Sequence, residues 1–447
     1  MVAPNTNAQK RVNLAVSRII PPVLLGIVIY ASYAITKPLC IDYLLRPLPS
    51  YNRSPRVGAG AAIIAIYYFL LIVLLTTYLR LLYSVIRDPG FLPLGAERLQ
   101  ADAAEDSKQS HKKRRQRRRN SGQARDAEKV DAPVDLGQGV ASNRSGRAHD
   151  EESLGLEDFY TKDVYVCQED GRPAYCSTCC QFKVDRSHHC RELDRCVRKM
   201  DHFCPWVGGV VSETSFKFFI QFVFYTATFC TFALIVFAYF TAQLKHDVSD
   251  LSSLTSVITS SDFYQTGNVN AHWCVCIGLS GLFGFFTAGM SLTSLQLAAL
   301  NLTTIENLNR QSVVWTLAIR IPGHVSAQLF TPGSALAPTF PTVSLPLELP
   351  IAERHVFAIL HTQPGENPFS LGSPFKNLQQ IMGYSIADWL LPIKQSPCAD
   401  HSSQESEFAL GPVVTRLKQE AGFLPPPENG NERPNSKQSG RSNEHRT

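Results

Sequence analysis

The chain has 447 residues with 43 Lys and Arg against 38 Asp and Glu, a formal net charge of +5. Its length allows two or more domains, and so small a net charge selects no partner by itself. The apolar residues are gathered in four blocks, which excludes a uniformly soluble chain, and much of the positive charge sits in one run, Lys112 to Arg119.

The first block runs from Ile19 to Thr36, between Arg18 and Lys37. It is just long enough to cross ~30 Å of hydrocarbon at ~1.5 Å per residue. A cleaved signal peptide is the rival reading. The apolar stretch is longer than a typical signal core and a second span follows closely, so a retained span is expected. Pro21 and Pro22 are expected in its first turn, where a missing N–H costs least. The second block, Val57 to Leu79, is followed by Asp88-Pro89-Gly90, which closes the emerging helix. Residues 96 to about 157 are polar and poor in aromatics, which predicts a disordered linker. The basic run within it fits attraction to anionic lipid more economically than a nucleic-acid patch, and a bare topology signal fits it equally well. Phe218 to Ala242 and Trp273 to Leu300 form the third and fourth spans, both free of charge. Ser312 to Ile321 and His355 to Leu360 read as short strands in a small folded segment, and the tail from about Pro425 reads as disorder.

The expected fold is therefore a polytopic α-helical membrane protein. Four transmembrane helices carry a small cytosolic cysteine-rich domain between spans 2 and 3, expected to be zinc-bound through the cysteines and histidines it holds. The expected divisions are 1–90, 91–158, 159–215, 216–306, 307–424 and 425–447. Lys10, Arg11, Arg18 and the 112–119 run favour cytosolic termini and a cytosolic 80–217 loop. Lys37, Arg46, Arg53 and Arg56 vote the other way.

Seven of the twelve cysteines lie between Cys167 and Cys204, interleaved with His188, His189 and His202. A reducing cytosolic face disfavours disulfides and prefers metal. Cys176-x2-Cys179 supplies the knuckle of a tetrahedral zinc site, and His189 with Cys196 completes a closed Cys3His set. Farther on, His202 stands two residues before Cys204, near enough in a tight loop to take its proton, and Asp201 can fix the imidazole tautomer.

This region resembles the cysteine-rich domain of DHHC-type protein palmitoyltransferases. The signature tetrapeptide appears as Asp201-His202-Phe203-Cys204, followed by Pro205-Trp206-Val207. Asp88-Pro89-Gly90, Thr303-Thr304-Ile305-Glu306 and Asn367-Pro368-Phe369-Ser370-Leu371-Gly372, with Asn377 and Gly383, match further family motifs in order. The resemblance implies an acyltransferase that moves a long-chain acyl group from acyl-CoA to Cys204 and then to cysteines of membrane-associated substrate proteins. His202 would be the base, Asp201 its partner, and Thr304 a hydrogen-bond donor near Asp201. The implied setting is an integral protein of an endomembrane or the plasma membrane, with no nucleic-acid partner.

The family carries two zinc sites. Here the second retains only Cys190, its other positions being Leu193, Phe203 and Val210, so one zinc ion and a hydrophobic plug are expected. Cys180 is a possible substitute ligand. Phe203 replaces a zinc histidine and leaves the reacting trio intact. The CoA phosphates need cations, for which Lys183, Arg186, Arg198 and Lys199 are candidates. A membrane scaffold with a zinc knuckle and no activity is the alternative. A metal transporter is excluded by the lack of acidic or histidine side chains within the expected span cores.

Overall fold

The computed structural model describes residues 6–48, 51, 53–120, 156–254, 270–325, 340–345 and 355–425. Most of the expected linker and nearly all of the tail lie outside the described residues.

Among the described residues, four helices are long and apolar enough to cross a membrane: Ala8–Leu45, Val57–Arg87, Phe216–His246 and Ala271–Leu300, here spans 1 to 4. Each contains one expected block, and each is longer than it. The polar lead-in before Arg18 holds no glycine or proline from Thr6 onward, and it is helical throughout, from the first described residue. Pro21 and Pro22 therefore lie inside helix Thr6–Ala34 and not in its first turn. The helix then widens into a π-helical stretch, Ile35–Leu45, which contains Pro38. Large apolar side chains such as Phe285, Leu292 and Phe69 stand exposed on the outer faces, as a lipid solvent requires. Tyr67, Phe229, Phe237 and Trp273 are buried between the spans.

The segment between spans 2 and 3 opens with a short non-helical stretch, residues 88–95. A helix runs from Ala96 to Asn120, which corrects the expectation of disorder there. Its Arg98 explains why it is anchored at the start: the guanidinium donates to Asp102, Asp194 and the Thr178 carbonyl. Three antiparallel hairpins follow, β2–β3 (Tyr175–Cys176, Gln181–Phe182), β4–β5 (His188–Cys190, Arg195–Val197) and β6–β7 (His202–Cys204, Gly209–Val211).

The expected strands appear as β8 (Thr316–Arg320) and β10 (His355–His361). They form a four-stranded sheet of order β1-β8-β10-β9 with β1 (Val164–Val166) and β9 (Thr342–Leu345). A boundary at residue 159 would give β1 to the cysteine-rich domain. Its hydrogen-bonded partner is β8, with Val164 opposite Ile319, so the domains interleave.

The motif from Asn367 to Asn377 closes the end of span 4. A helix leaves its last carbonyls without partners. Asn377 donates to the Ala299 carbonyl at 2.9 Å, and Asn367 to the Leu300 and Asn301 carbonyls at 3.1 Å each. Asn301 takes the left-handed conformation that ends the helix, φ 48°. These bonds fix the segment Thr303–Glu306 next to the β6–β7 hairpin.

Candidate active site and metal centre

The four candidate metal ligands come from two hairpins. Cys176 ends β2 and Cys179 lies within the tight β2–β3 turn, while His189 and Cys196 are directly opposed in the β4–β5 register. All four ligand atoms lie within 4.8 Å of one another. His189 Nδ1 is 3.6, 3.3 and 3.9 Å from the sulfurs of Cys176, Cys179 and Cys196. A tetrahedral zinc ion with arms of about 2.3 Å to sulfur and 2.05 Å to nitrogen has edges of about 3.6 Å. The residues present therefore fit zinc. The far side of the ring, Nε2, faces Asp194 Oδ1 at 3.6 Å, and Arg98 holds that carboxylate at 2.9 Å. This outer carboxylate orients the imidazole. Sequence reasoning missed both Arg98 and Asp194, because neither has metal-ligand spacing. Gly95 completes the enclosure: a Cβ there would lie 1.6 Å from the Cys180 carbonyl oxygen.

Cys190, Leu193, Phe203 and Val210 do meet, in one apolar cluster with Val197, Met200 and Ile305. Cys180 stands outside the ligand group, its sulfur 3.5 Å from the Ser177 carbonyl.

The candidate reacting trio, Asp201, His202 and Cys204, lies on and just before the third hairpin. Asp201 accepts from His202 Nδ1 at 2.6 Å through Oδ2. Thr304 clamps the same carboxylate, its amide donating to Oδ1 at 2.8 Å and its hydroxyl to Oδ2 at 3.0 Å. Burial opposes charge on His202, but the hydrogen bonds and charges of Asp201 and Cys204 outweigh it and raise the ring to about 9. With Nδ1 committed to Asp201, the buried Nε2 is the ring nitrogen left to face the Cys204 thiol. Phe219 packs edge-on against the ring at 5.1 Å.

Cys204 is 4% exposed and lines a cavity of about 200 Å³ with His202, Trp206, Phe219, Phe283 and Phe286. A second cavity of about 100 Å³ lies among Ile27, Tyr67, Phe229, Ala233 and Cys276. Leu24, Thr226 and Phe283 line both, so the two adjoin between the spans.

Two of the four candidate phosphate cations have other work. Arg186 is fully buried: Nε donates to Glu306 Oε1 at 2.8 Å and Nη2 to Oε2 at 2.6 Å. It also donates to Asn301 and lies 4.8 Å from the Phe369 ring centre. Lys199, 4% exposed, donates to Asn301 Oδ1 at 3.4 Å. Both cations are shielded from solvent by protein partners, which corrects their assignment to phosphate. Lys183 remains accessible and lines a cavity of about 350 Å³ with Ser187 and His188. Arg198 is part-exposed, 3.6 Å from Glu407.

Comparison with known proteins gives a consistent result. Residues 169–311 match the family model for the DHHC palmitoyltransferase domain. The chain is 58% identical over 431 residues to palmitoyltransferase pfa5 of Aspergillus fumigatus, covering 93% of this chain and 92% of the relative. It is 53% identical to palmitoyltransferase pfa5 of Emericella nidulans, over 93% of this chain and 87% of the relative. Palmitoyltransferase ZDHHC15 of Rattus norvegicus is 29% identical over 54% of this chain and 52% of its own length.

Proposed function

This chain belongs to the DHHC palmitoyltransferase family, and on that premise we propose how its own residues carry out the transfer. It is a protein S-acyltransferase of the membrane. The observation that carries the mechanism is one continuous arrangement: Thr304 holds Asp201, Asp201 holds His202, and Cys204 opens beside them into an apolar cavity.

His202 takes the Cys204 proton, because Asp201 stabilises the imidazolium that results. The thiolate attacks the carbonyl carbon of acyl-CoA. A bond from Cys204 Sγ to that carbon forms, the carbon–sulfur bond to CoA breaks, and the proton on His202 passes to the departing CoA thiolate. In the second step His202 accepts the proton of a substrate cysteine. The substrate thiolate attacks the acyl carbon, the bond to Cys204 Sγ breaks, and Cys204 recovers its proton from His202. One thioester replaces another in each step, so no nucleotide is consumed.

The acyl tail occupies the adjoining cavities between the spans, where each buried CH₂ contributes ~0.8 kcal/mol. Lys183 and Arg198 are the cations assigned to the CoA phosphates. Cys176, Cys179, His189 and Cys196 hold one zinc ion, which supplies a structural cross-link with no open position. The apolar cluster around Cys190 takes the place of a second ion. The site faces the cytosol, a reading supported by Lys10, Arg11 and Arg18 before span 1.

Purified full-length chain, given labelled palmitoyl-CoA, tests the reading. Label released by neutral hydroxylamine is the expected result. A chain that takes up no such label is a scaffold.

A further inference from the structure

Beyond the reacting site, one buried charge has no counterpart. Lys217 is the second residue of span 3 and is 0% exposed, yet its Nζ has no hydrogen-bond partner among the described residues. One helical turn later, Gln221 Oε1 is also buried and unpartnered, as is Arg80 Nε on span 2. An ammonium taken from water without an anion or acceptor is costly, so such a group marks a missing partner.

Residues 385–394 cover this place. Gln221 Nε2 donates to the carbonyls of Asp388, Trp389 and Leu391, at 2.9–3.3 Å, and Arg80 Nη2 reaches the Ile393 carbonyl at 3.5 Å. The charged groups that act on Lys217 are Asp388, Lys394 and Arg80. Asp388 is already engaged, capping helix Ile386–Leu390 and pairing with Lys394 at 3.3 Å. Three cations thus face one committed carboxylate. Outside them, Ile386, Leu390, Leu391 and Ile393 are exposed, Ile386 by 80% and Ile393 by 70%.

We propose that Arg80, Lys217 and Lys394 bind the phosphate monoester of an anionic phospholipid headgroup, with the lipid chains lying along Ile386, Leu391 and Ile393. Charge selects the monoester: three cations less one carboxylate leave a surplus of two, and a phosphate monoester carries about −1.5 to −2 at neutral pH. Position selects a lipid over a soluble anion. Lys217 opens span 3, Arg80 lies in the last two turns of span 2 and Lys394 ends the segment that covers them. The cations therefore gather near the level where headgroups lie, and exposed apolar side chains adjoin them. The bond from Arg80 to Ile393 is at the limit of hydrogen-bond length. A phosphate oxygen takes the place of that weakly held carbonyl and supplies the anion that Lys217 lacks. This inference does not depend on acyl transfer.

The test uses the full-length chain in neutral detergent and reads the thermal unfolding midpoint. Dioctanoyl phosphatidate is the probe, with dioctanoyl phosphatidylcholine and inorganic phosphate as parallel arms. Phosphatidate should raise the midpoint and the other two should not. Lys217→Met should lose the shift. Lys394→Gln, whose side chain is exposed, should weaken phosphatidate binding about tenfold, the loss of one charge-assisted contact. Should Lys217→Met fail to fold, Arg80→Gln and Lys394→Gln carry the same comparison. An equal shift from inorganic phosphate would make this a site for free anions. An equal shift from phosphatidylcholine would reduce it to an apolar surface. No shift with phosphatidate, or one unchanged in the cation variants, overturns the proposal.

Discussion

Thr304 and Asp201 are joined by two hydrogen bonds across 103 residues of sequence, one to each carboxylate oxygen. The carboxylate therefore cannot rotate away from His202, which it holds at 2.6 Å. Removing the base and loosening its support should differ in scale. His202→Ala should slow autoacylation by ~10²–10⁴-fold. Thr304→Ala keeps the amide bond and loses only the hydroxyl, so a loss of roughly 10- to 150-fold is expected, the worth of one hydrogen bond to a charged group at about 1.5–3 kcal/mol. Raising the pH should partly rescue His202→Ala by forming thiolate directly. In the wild type, the folded value of about 9 against an ordinary ~6.5 fixes the opposite trend. The stabilisation from the His202–Asp201 pair is complete below about pH 6.5 and is lost as pH rises through about 9. Single-turnover rates and melting midpoints from pH 6 to 10 measure both.

Arg186 should matter for stability before it matters for CoA. It ties the β3–β4 turn to Glu306, Asn301 and the ring of Phe369. Breaking a buried ion pair by removing one partner costs about 3–5 kcal/mol. Arg186→Met should sharply lower the unfolding midpoint. Arg186→Lys should rescue little, because an ammonium cannot reproduce the two-pronged bond. A variant with normal stability but a raised KM for acyl-CoA would return Arg186 to the phosphate site.

The spans, the knuckle and the trio were legible because each depends on local spacing: long apolar runs, Cys-x2-Cys, and a histidine two residues from a cysteine. Arg186 and Lys199 were misassigned for a physical reason. Sequence displays charge but not burial, and the Glu306 that neutralises Arg186 is 120 residues away. Helix Ala96–Asn120 was hidden by a polar composition shared by disordered chains and solvated helices. The anchor at Arg98 depends on Asp194, which only the fold brings near. The place of β1 in the C-terminal sheet was likewise beyond reach, since a three-residue strand leaves no periodicity to read.

Metal content separates the ligand set from the plug. Elemental analysis of the purified chain should give one zinc ion per molecule. Phe203→His should not raise that number, because Leu193 and Val210 supply no ligand; it should loosen the cluster around Cys190. Two ions per chain would mean that other residues rebuild the second site.

Ala233 lies against the cavity far from Cys204, beside Phe229 and Phe237. Ala233→Phe should shorten the space for an acyl tail. Loss of room for two CH₂ groups removes about 1.6 kcal/mol, roughly 15-fold in preference. Competition between 14- and 16-carbon acyl-CoA should shift toward the shorter chain by that order. An unchanged ratio would place the tail elsewhere.

The central claim is that Cys204 carries the acyl group. It adjoins a histidine–aspartate pair and opens into the cavity between the spans, whereas Cys176, Cys179 and Cys196 belong to the metal group. Intact-mass measurement of full-length chain after incubation with palmitoyl-CoA tests this directly, comparing wild type with Cys204→Ala. The account predicts one hydroxylamine-labile palmitoyl adduct on the wild type, mapped by peptide analysis to Cys204, and none on the variant. An adduct of equal yield on Cys204→Ala would contradict it.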